Sequence, residues 1–423
     1  MKKLSMAVAG IAMAFGAAMA QDTILIRNAH IHTGAGQEIP GGSVLIQKGK
    51  IAGVGAKLAA PKGAAIIDAK GMHLYPGMID SATAIGLTEI GAVRETNDTN
   101  ELGEFNPQLR ALIAVNPESE HIDVTRANGI TSVMTLPAGG IISGQGSLIH
   151  LDGWTWEEMS LAPNVTIRLN FPVIAPISAG PGNRSSSGYE DARKRYEEQL
   201  DRLRLFLEEA RRYEKAKRAG TTAMQSDPKF EAMLPVLTGK TPLFVFAAKE
   251  RAILDVIQFA RREKLKIILA GVREPGKALA EIVKDKIPVI LPETHSLPLE
   301  EDDAYDSQYT LPAELHQAGV KFAFGSFDTQ FSRNLPYQAA AAVAFGLPKD
   351  VALKAVTSNA AEIWGLGSQL GTIEEGKLAD LILTDGDPLE ARTQIRQMFI
   401  AGKPVSLESR HTRLYEKYSK RPQ

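Results

Sequence analysis

Hydrophobic positions along this chain change their rhythm twice. From Thr23 to Ala69 short apolar or alternating runs, "TILIRNAHIHTG" and "SVLIQKGKIAGVG", are broken at Gly34, Gly36, Gly41, Gly42 and Gly49, a strand-and-turn pattern. "AAIIDAKGMHLYPGMID" adds one more strand. So much β without helix predicts a small sheet or sandwich. The middle alternates instead. "ITSVMTLP", "VTIRLNFPVI", "PLFVFAA", "KIILAG", "IPVILPE" and "KFAFGS" read as short buried strands, with helical stretches such as "RAILDVIQFARREK" and "GKALAEIVKD" between several of them. Doubly buried strands alternating with helices predict a parallel sheet, and their number favours a closed barrel. "NPQLRALIAVN" and "NPESEHIDVTRANG" each open on Asn-Pro, a helix-start signal, and the second stops at Gly129.

One excursion interrupts the alternation. "SAGPGNRSSSG" (178–188) reads as a flexible linker, followed by a long charged helix on which Tyr196, Leu200, Leu203 and Leu207 form one stripe. The stripe docks either on the chain's own barrel or on a partner. At the C-terminal end β character returns with "LGTIEEGKLADLILTDGDPLE" and "IRQMFIAGKPV". These strands are expected to join the first ones. The division is then 1–20 leader, 21–72 with 369–423 as a composite β-sandwich domain, and 73–368 as a (β/α)8 barrel carrying a helical excursion near 178–220.

Composition narrows the function. The 423 residues, 44% hydrophobic and 23% charged, suit a globular protein with a large core. A net charge of −1 supplies no global field for nucleic acid or an anionic membrane. Lys2 and Lys3 before an apolar run, with Ala18-Met19-Ala20 as a small-x-small site, predict a secretory leader cleaved after Ala20. The run is shorter than a membrane span needs, so no membrane association is expected after cleavage. The chain has no cysteine, which excludes disulfides, thiolate metal ligands and a cysteine nucleophile. The periplasm, or secretion, is the expected destination.

Several segments together, "GKIAGVG", "GMHLYPGMID", "NGITSVMT", "ALKAVTSNAAEIWGL" and "LGTIEEGKLADLILTDGDPL", resemble the amidohydrolase superfamily, and within it the imidazolonepropionase-like group. The resemblance runs through almost the whole mature sequence. It implies a (β/α)8 barrel, a composite β-sandwich and a hydrolase of carbon–nitrogen bonds other than peptide bonds. It also implies a metal at the barrel mouth, held by two histidines of the first strand, one each from the fifth and sixth, and an aspartate from the eighth. Neutral imidazoles plus a carboxylate hold Zn²⁺ and leave a position for an activated water.

Carried over residue by residue, that ligand set is almost gone. Its histidine positions fall on Ala82, Ala84, Phe246 and Ala270, and only the aspartate is kept, as Asp328 in "FGSFDTQ". One carboxylate cannot hold a transition ion tightly, so no cofactor is expected, and zinc is the divalent ion a residual cluster would take. His30 and His32 form a His-x-His pair in the terminal sheet with no third ligand evident in sequence. His295 with Glu293 and Asp328 is the better-placed cluster. His121 and His150 read as structural. The loop after the first barrel strand brings Glu89, Arg94, Glu95, Asp98, Glu101 and Glu104 to the mouth, where this fold keeps its chemistry; Glu89 and Asp98 are its ligand-binding candidates. "GGIISGQG" (139–146) reads as a hairpin, and Trp154 and Trp156 as core or pocket wall. Without metal, Asp328 would act as general base, with Arg94 or Arg333 stabilising an oxyanion. The alternative is a non-catalytic binder of a small molecule, or a homo- or hetero-oligomeric partner of a catalytic amidohydrolase paralogue.

Overall fold

A computed structural model of the chain describes residues 23–174, 188–220, 225–300 and 303–421. The expected leader (1–20) and nearly all of the Gly/Ser linker lie outside the described residues. Among the described residues no helix is long and apolar enough to cross a membrane.

Two eight-stranded sheets carry the fold. The first is built from β1 (Thr23–His32), β2 (Glu38–Gln47), β3 (Lys50–Gly55), β4 (Ala65–Asp68) and β5 (His73–Pro76). The second holds β6 (Met78–Thr83), β7 (Ile130–Thr135), β8 (Ile142–His150), β9 (Ser160–Leu169), β10 (Leu243–Phe246), β11 (Ile267–Ala270), β12 (Val289–Leu291) and β13 (Phe322–Phe324). The chain then returns to the first sheet with β14 (Leu381–Thr384), β15 (Ile395–Ile400) and β16 (Lys403–Val405). The order of the first sheet, β16-β15-β14-β5-β1-β2-β3, places the late β14 against the early β5. The two ends of the chain therefore share one sheet, as their patterning predicted.

Strands β6 to β13 follow one another around a barrel. The barrel is not uniformly parallel. β8 runs antiparallel to both β7 and β9, which corrects the all-parallel expectation. The cause is local: Gly139 and Gly140, both at positive φ, turn the chain straight back after β7, so no helix intervenes and the return strand must be antiparallel. "GGIISGQG" is thus the expected hairpin. "NPQLRALIAVN" forms only a 3-10 turn, Ala111–Ala114, since Arg110 and Gln145 instead bridge to each other as strand-like residues. The second Asn-Pro segment does become a helix, Glu120–Arg126, one turn later than expected because Asn116 caps a local turn at Glu118.

The lumen is packed, not open. Ile79, Met134, Leu148, Phe244, Ile268 and Ile290 fill it, and Trp364 and Leu370 join the same cluster. The helix Tyr189–Arg218 buries Leu200, Leu203, Phe206 and Leu207 in the cluster that surrounds the barrel, and Tyr196 packs against it. Its stripe is used on its own barrel. Phe206 stacks on Phe105, and Arg202 pairs with Glu104 at 2.9 Å.

Barrel and terminal sheet meet with no linker. Gly77 alone separates β5 from β6, and a Cβ there would stand 2.3 Å from Thr131, so only glycine fits. Behind it, His150 Nε2 pairs with Asp380 Oδ2 at 2.9 Å, both nearly fully buried. Burial opposes charge on His150, but Asp380 outweighs it and raises the imidazole's pKa. Asp380 Oδ1 also accepts the Ala401 amide at 2.7 Å.

Truncation separates essential from dispensable strands. Loss of residues 370–423 removes β14, whose Leu381, Ile382 and Leu383 are fully buried, each worth about 1.5–3 kcal/mol on burial. It also strips β5 of its partner and His150 of its counter-ion. That protein is expected to show no cooperative melting by calorimetry. Loss of 404–423 removes two residues of the edge strand β16, the partly buried Leu407, Ser409 and the helix Arg410–Ser419, which buries none of its residues, and should leave a cooperative transition.

Candidate functional site

The C-terminal ends of β10 to β13 surround a cavity of about 450 Å³ lined by Phe246, Arg273, Glu293, His295, Asp328 and Phe331, among others. Sequence reasoning placed Phe246, Glu293, His295 and Asp328 at the mouth, and all four meet here. They do not converge as ligands. Among the described residues, the one trio of His, Asp or Glu with donor atoms mutually within 4.8 Å is His30, His32 and His73 in the terminal sheet.

Several of the cavity's polar groups are engaged. Arg273 donates to Glu293 Oε1 at 2.8 Å, Ser296 Oγ at 2.6 Å and Gln308 Oε1 at 3.2 Å, tying the end of β11 to the loop after β12. Gln338 Oε1 accepts the amides of Thr294 and His295 at 2.7 and 3.0 Å, which holds that loop rigid while the His295 ring stays exposed. Asp328 Oδ1 accepts the Phe331 amide at 2.7 Å; its Oδ2 makes no hydrogen bond among the described residues. Phe246 is 41% exposed. Its ring lies over Gly271, where a Cβ would come within 2.1 Å, and meets Phe327 edge-on. It therefore forms one wall of the cavity.

Ala82 and Ala270 are fully buried lumen residues and Ala84 is partly buried. With Phe246 they bring no side-chain nitrogen or oxygen to the mouth, so this donor set does not fit a transition ion. Gly325 packs so closely on strand β6 that a Cβ there would sit 2.8 Å from that of Ala82.

Other candidates fall elsewhere. Arg333 donates to Gln330 O, lies 5.3 Å over the Phe331 ring and lines a cavity with Asn128, Tyr337 and Thr393, separate from the one that Asp328 lines. Arg94, Glu95, Asp98 and Glu101 stand exposed on the loop after β6. Glu89 Oε1 accepts from Asn116, and its carbonyl contacts His121 Nε2 at 2.9 Å. Trp156 packs on the core, whereas Trp154 is 87% exposed.

Two residues with consequences escaped the sequence reading. Asp80, fully buried, accepts hydrogen bonds from the amides of Ala82 (3.1 Å) and Ser326 (2.9 Å) and from the Ser332 hydroxyl (2.6 Å). Burial pushes its pKa up to about 6 against those hydrogen bonds. Arg168 is in register with the lumen residue Phe244 and so lies on the inward face of β9. It donates to Asn170 Oδ1 and Pro137 O, each at 3.1 Å, and burial lowers its pKa. A lone arginine inside the apolar run "VTIRLNF" was the available signal.

A nearly closed barrel with β6 and β13 side by side at its seam, a mouth cavity at its C-terminal face and a sheet shared by both chain ends define a class of barrel proteins. The amidohydrolase family model matches residues 202–406. A curated amidohydrolase, tasK of Hapsidospora irregularis, is 24% identical over 446 residues, covering 92% of this chain and 44% of that protein; the chain thus spans less than half of that relative's length. A solved amidohydrolase structure from Thermotoga maritima MSB8 is 26% identical, with a TM-score of 0.78 over 90% of this chain and 99% of the other. A Xanthomonas campestris adenosine deaminase with bound zinc shares the fold, at 17% identity and a TM-score of 0.52, covering 94% and 97%. This chain is thus similar to amidohydrolases over most of its length.

Two expectations follow from the site. The folded state holds the Asp80 proton up to about pH 6, whereas an unfolded aspartate releases it near 3.9. Asp80's contribution to stability is therefore fully present below about pH 4 and falls as pH rises to 6, by about 3 kcal/mol. Asp80→Asn keeps the acceptor oxygen and removes the titration. Urea unfolding at pH 4 to 8 should show the variant gaining on wild type up to pH 6 and holding level above it; a constant difference would contradict this. The second concerns restored ligands. Ala82→His with Ala84→His should bind zinc weakly in calorimetric titration, since Gly325 crowds position 82 and Phe246 and Ala270 still supply nothing. Addition of Phe246→His and Ala270→His should tighten binding at least tenfold.

Proposed function

We propose that the chain is an exported hydrolase of the imidazolonepropionase-like group. It acts on a carbon–nitrogen bond other than a peptide bond, at the mouth cavity, after loss of the family's barrel metal. The observation that carries the reading is Asp328. It is the family's eighth-strand aspartate, it lines the cavity, and one of its oxygens is open. The substitution of four imidazole positions by Ala82, Ala84, Phe246 and Ala270 supports the loss of metal. The leader-like first twenty residues support export.

In this reading a small substrate lies against the Phe246 and Phe331 rings. Asp328 Oδ2 takes a proton from an attacking water, and His295, exposed at the rim, donates one to the departing nitrogen. Arg273, already beside the cavity, replaces Arg333 as the nearby cation. Without a metal-bound hydroxide the rate falls by several kcal/mol in barrier. A second reading, a binding subunit for a catalytic paralogue, is supported by the engagement of Asp328 Oδ1 and Glu293 in fixed hydrogen bonds.

Amine release from a panel of N-acyl amino acids and cyclic amides decides between them. The expected result is turnover far below the common 1–10³ s⁻¹, abolished by Asp328→Asn and unaffected by a chelator. Ligand binding by calorimetry with no turnover selects the second reading. Chelator-sensitive turnover, with metal retained after replacement of His32 and His73, would overturn the loss of the barrel site.

A further inference from the structure

Three of the chain's eight histidines stand together in the terminal sheet, on β1 and β5. His30 and His32 are two apart on β1, so they share one face. His73 on β5 is the register partner of His30 and joins that face. The rings form a ladder: His30 to His32 at 4.6 Å, His30 to His73 at 5.1 Å, and His32 to Tyr75 at 4.1 Å. His32 Nε2 and His73 Nδ1 are 2.9 Å apart. Glu38, the register partner of His32 on β2, reaches back with both oxygens, Oε2 to His30 Nε2 at 3.1 Å and Oε1 to His32 Nδ1 at 3.2 Å. The third ligand that the His-x-His pair lacked in sequence is supplied by a strand 41 residues on, and the fourth by the neighbouring hairpin.

We propose that His30, His32 and His73, with Glu38, form a binding site for one divalent transition ion of the zinc type. Imidazole nitrogens and one carboxylate are the donors such an ion takes, and four protein ligands make a closed, structural site. One nitrogen from each ring already lies within 4.8 Å of the other two. A tetrahedral ion at about 2.0–2.1 Å from each nitrogen needs these gaps drawn in and the near-parallel rings turned about χ2, so that their in-plane lone pairs converge. The hydrogen bond between His32 and His73 is replaced by the ion. The site is prepared for this: burial lowers the pKa of both His32 and His73, which favours the neutral, ligating form. The other charged groups acting on His73 are Asp387 and Lys349, which pair with each other. The ion would tie β1, β2 and β5 together immediately before the Gly77 junction.

The test uses the full chain, stripped of metal and titrated with Zn²⁺ by calorimetry, and with Co²⁺ for its visible spectrum. One ion per chain is expected, with a tetrahedral Co²⁺ signature and a zinc-dependent rise in melting temperature. His32→Gln, His73→Gln and Glu38→Gln should each weaken zinc binding at least tenfold, while Asp328→Asn changes nothing. Glu38 is 62% exposed in its side chain, so its replacement leaves the sheet's packing intact where a histidine change unfolds it. Absence of zinc uptake by wild type would overturn the proposal. So would binding indifferent to the three sheet substitutions, and binding lost in Asp328→Asn would place the ion in the barrel instead.

Discussion

A carboxylate sealed from water closes this barrel. Strands β13 and β6 are not paired as a ladder; the segment just after β13 reaches β6 through Phe327 N–H to Ala82 O at 2.7 Å. Asp80 completes the seam by gathering amides from its own strand and from the loop after β13, with the Ser332 hydroxyl as a third donor. A buried carboxylate is costly to desolvate unless it is fully hydrogen-bonded, and its raised pKa records that balance. The loop it anchors carries Asp328 and Phe331. The mouth cavity therefore inherits its shape from a residue that does not line it.

Much of the fold was legible because it depends on local periodicity. Short apolar strands separated by amphipathic helices announced the barrel, and the run "LADLILT" announced a strand that had to find partners elsewhere. What failed was governed by contacts beyond the window. The "NPQLRALIAVN" segment has helix-start chemistry, yet it pairs as bridge residues beside β8. The reversal of β8 hung on two adjacent glycines whose turn geometry composition alone does not reveal.

The site was legible in part for a different reason. Transfer of family positions picked out Asp328 and Phe246, and proximity in sequence picked out Glu293 and His295; all four line the mouth cavity. Transfer could not show that Arg333 faces another cavity or that Phe246 leans over Gly271. Nor could it supply His73 for His30 and His32, because parallel pairing of β1 with β5 is a non-local event. Asp80 sat inside a quoted motif and was still passed over, since burial is what gives that aspartate its meaning.

The shared sheet also has a consequence for the order in which the chain is made. β5 ends at Pro76 and its partner β14 begins at Leu381. During synthesis the early half-sheet must wait, with one hydrogen-bonding edge unpaired, while the whole barrel emerges. An unpaired edge is a template for wrong pairing. The short length of β5, four residues, limits that exposure until the last strands arrive.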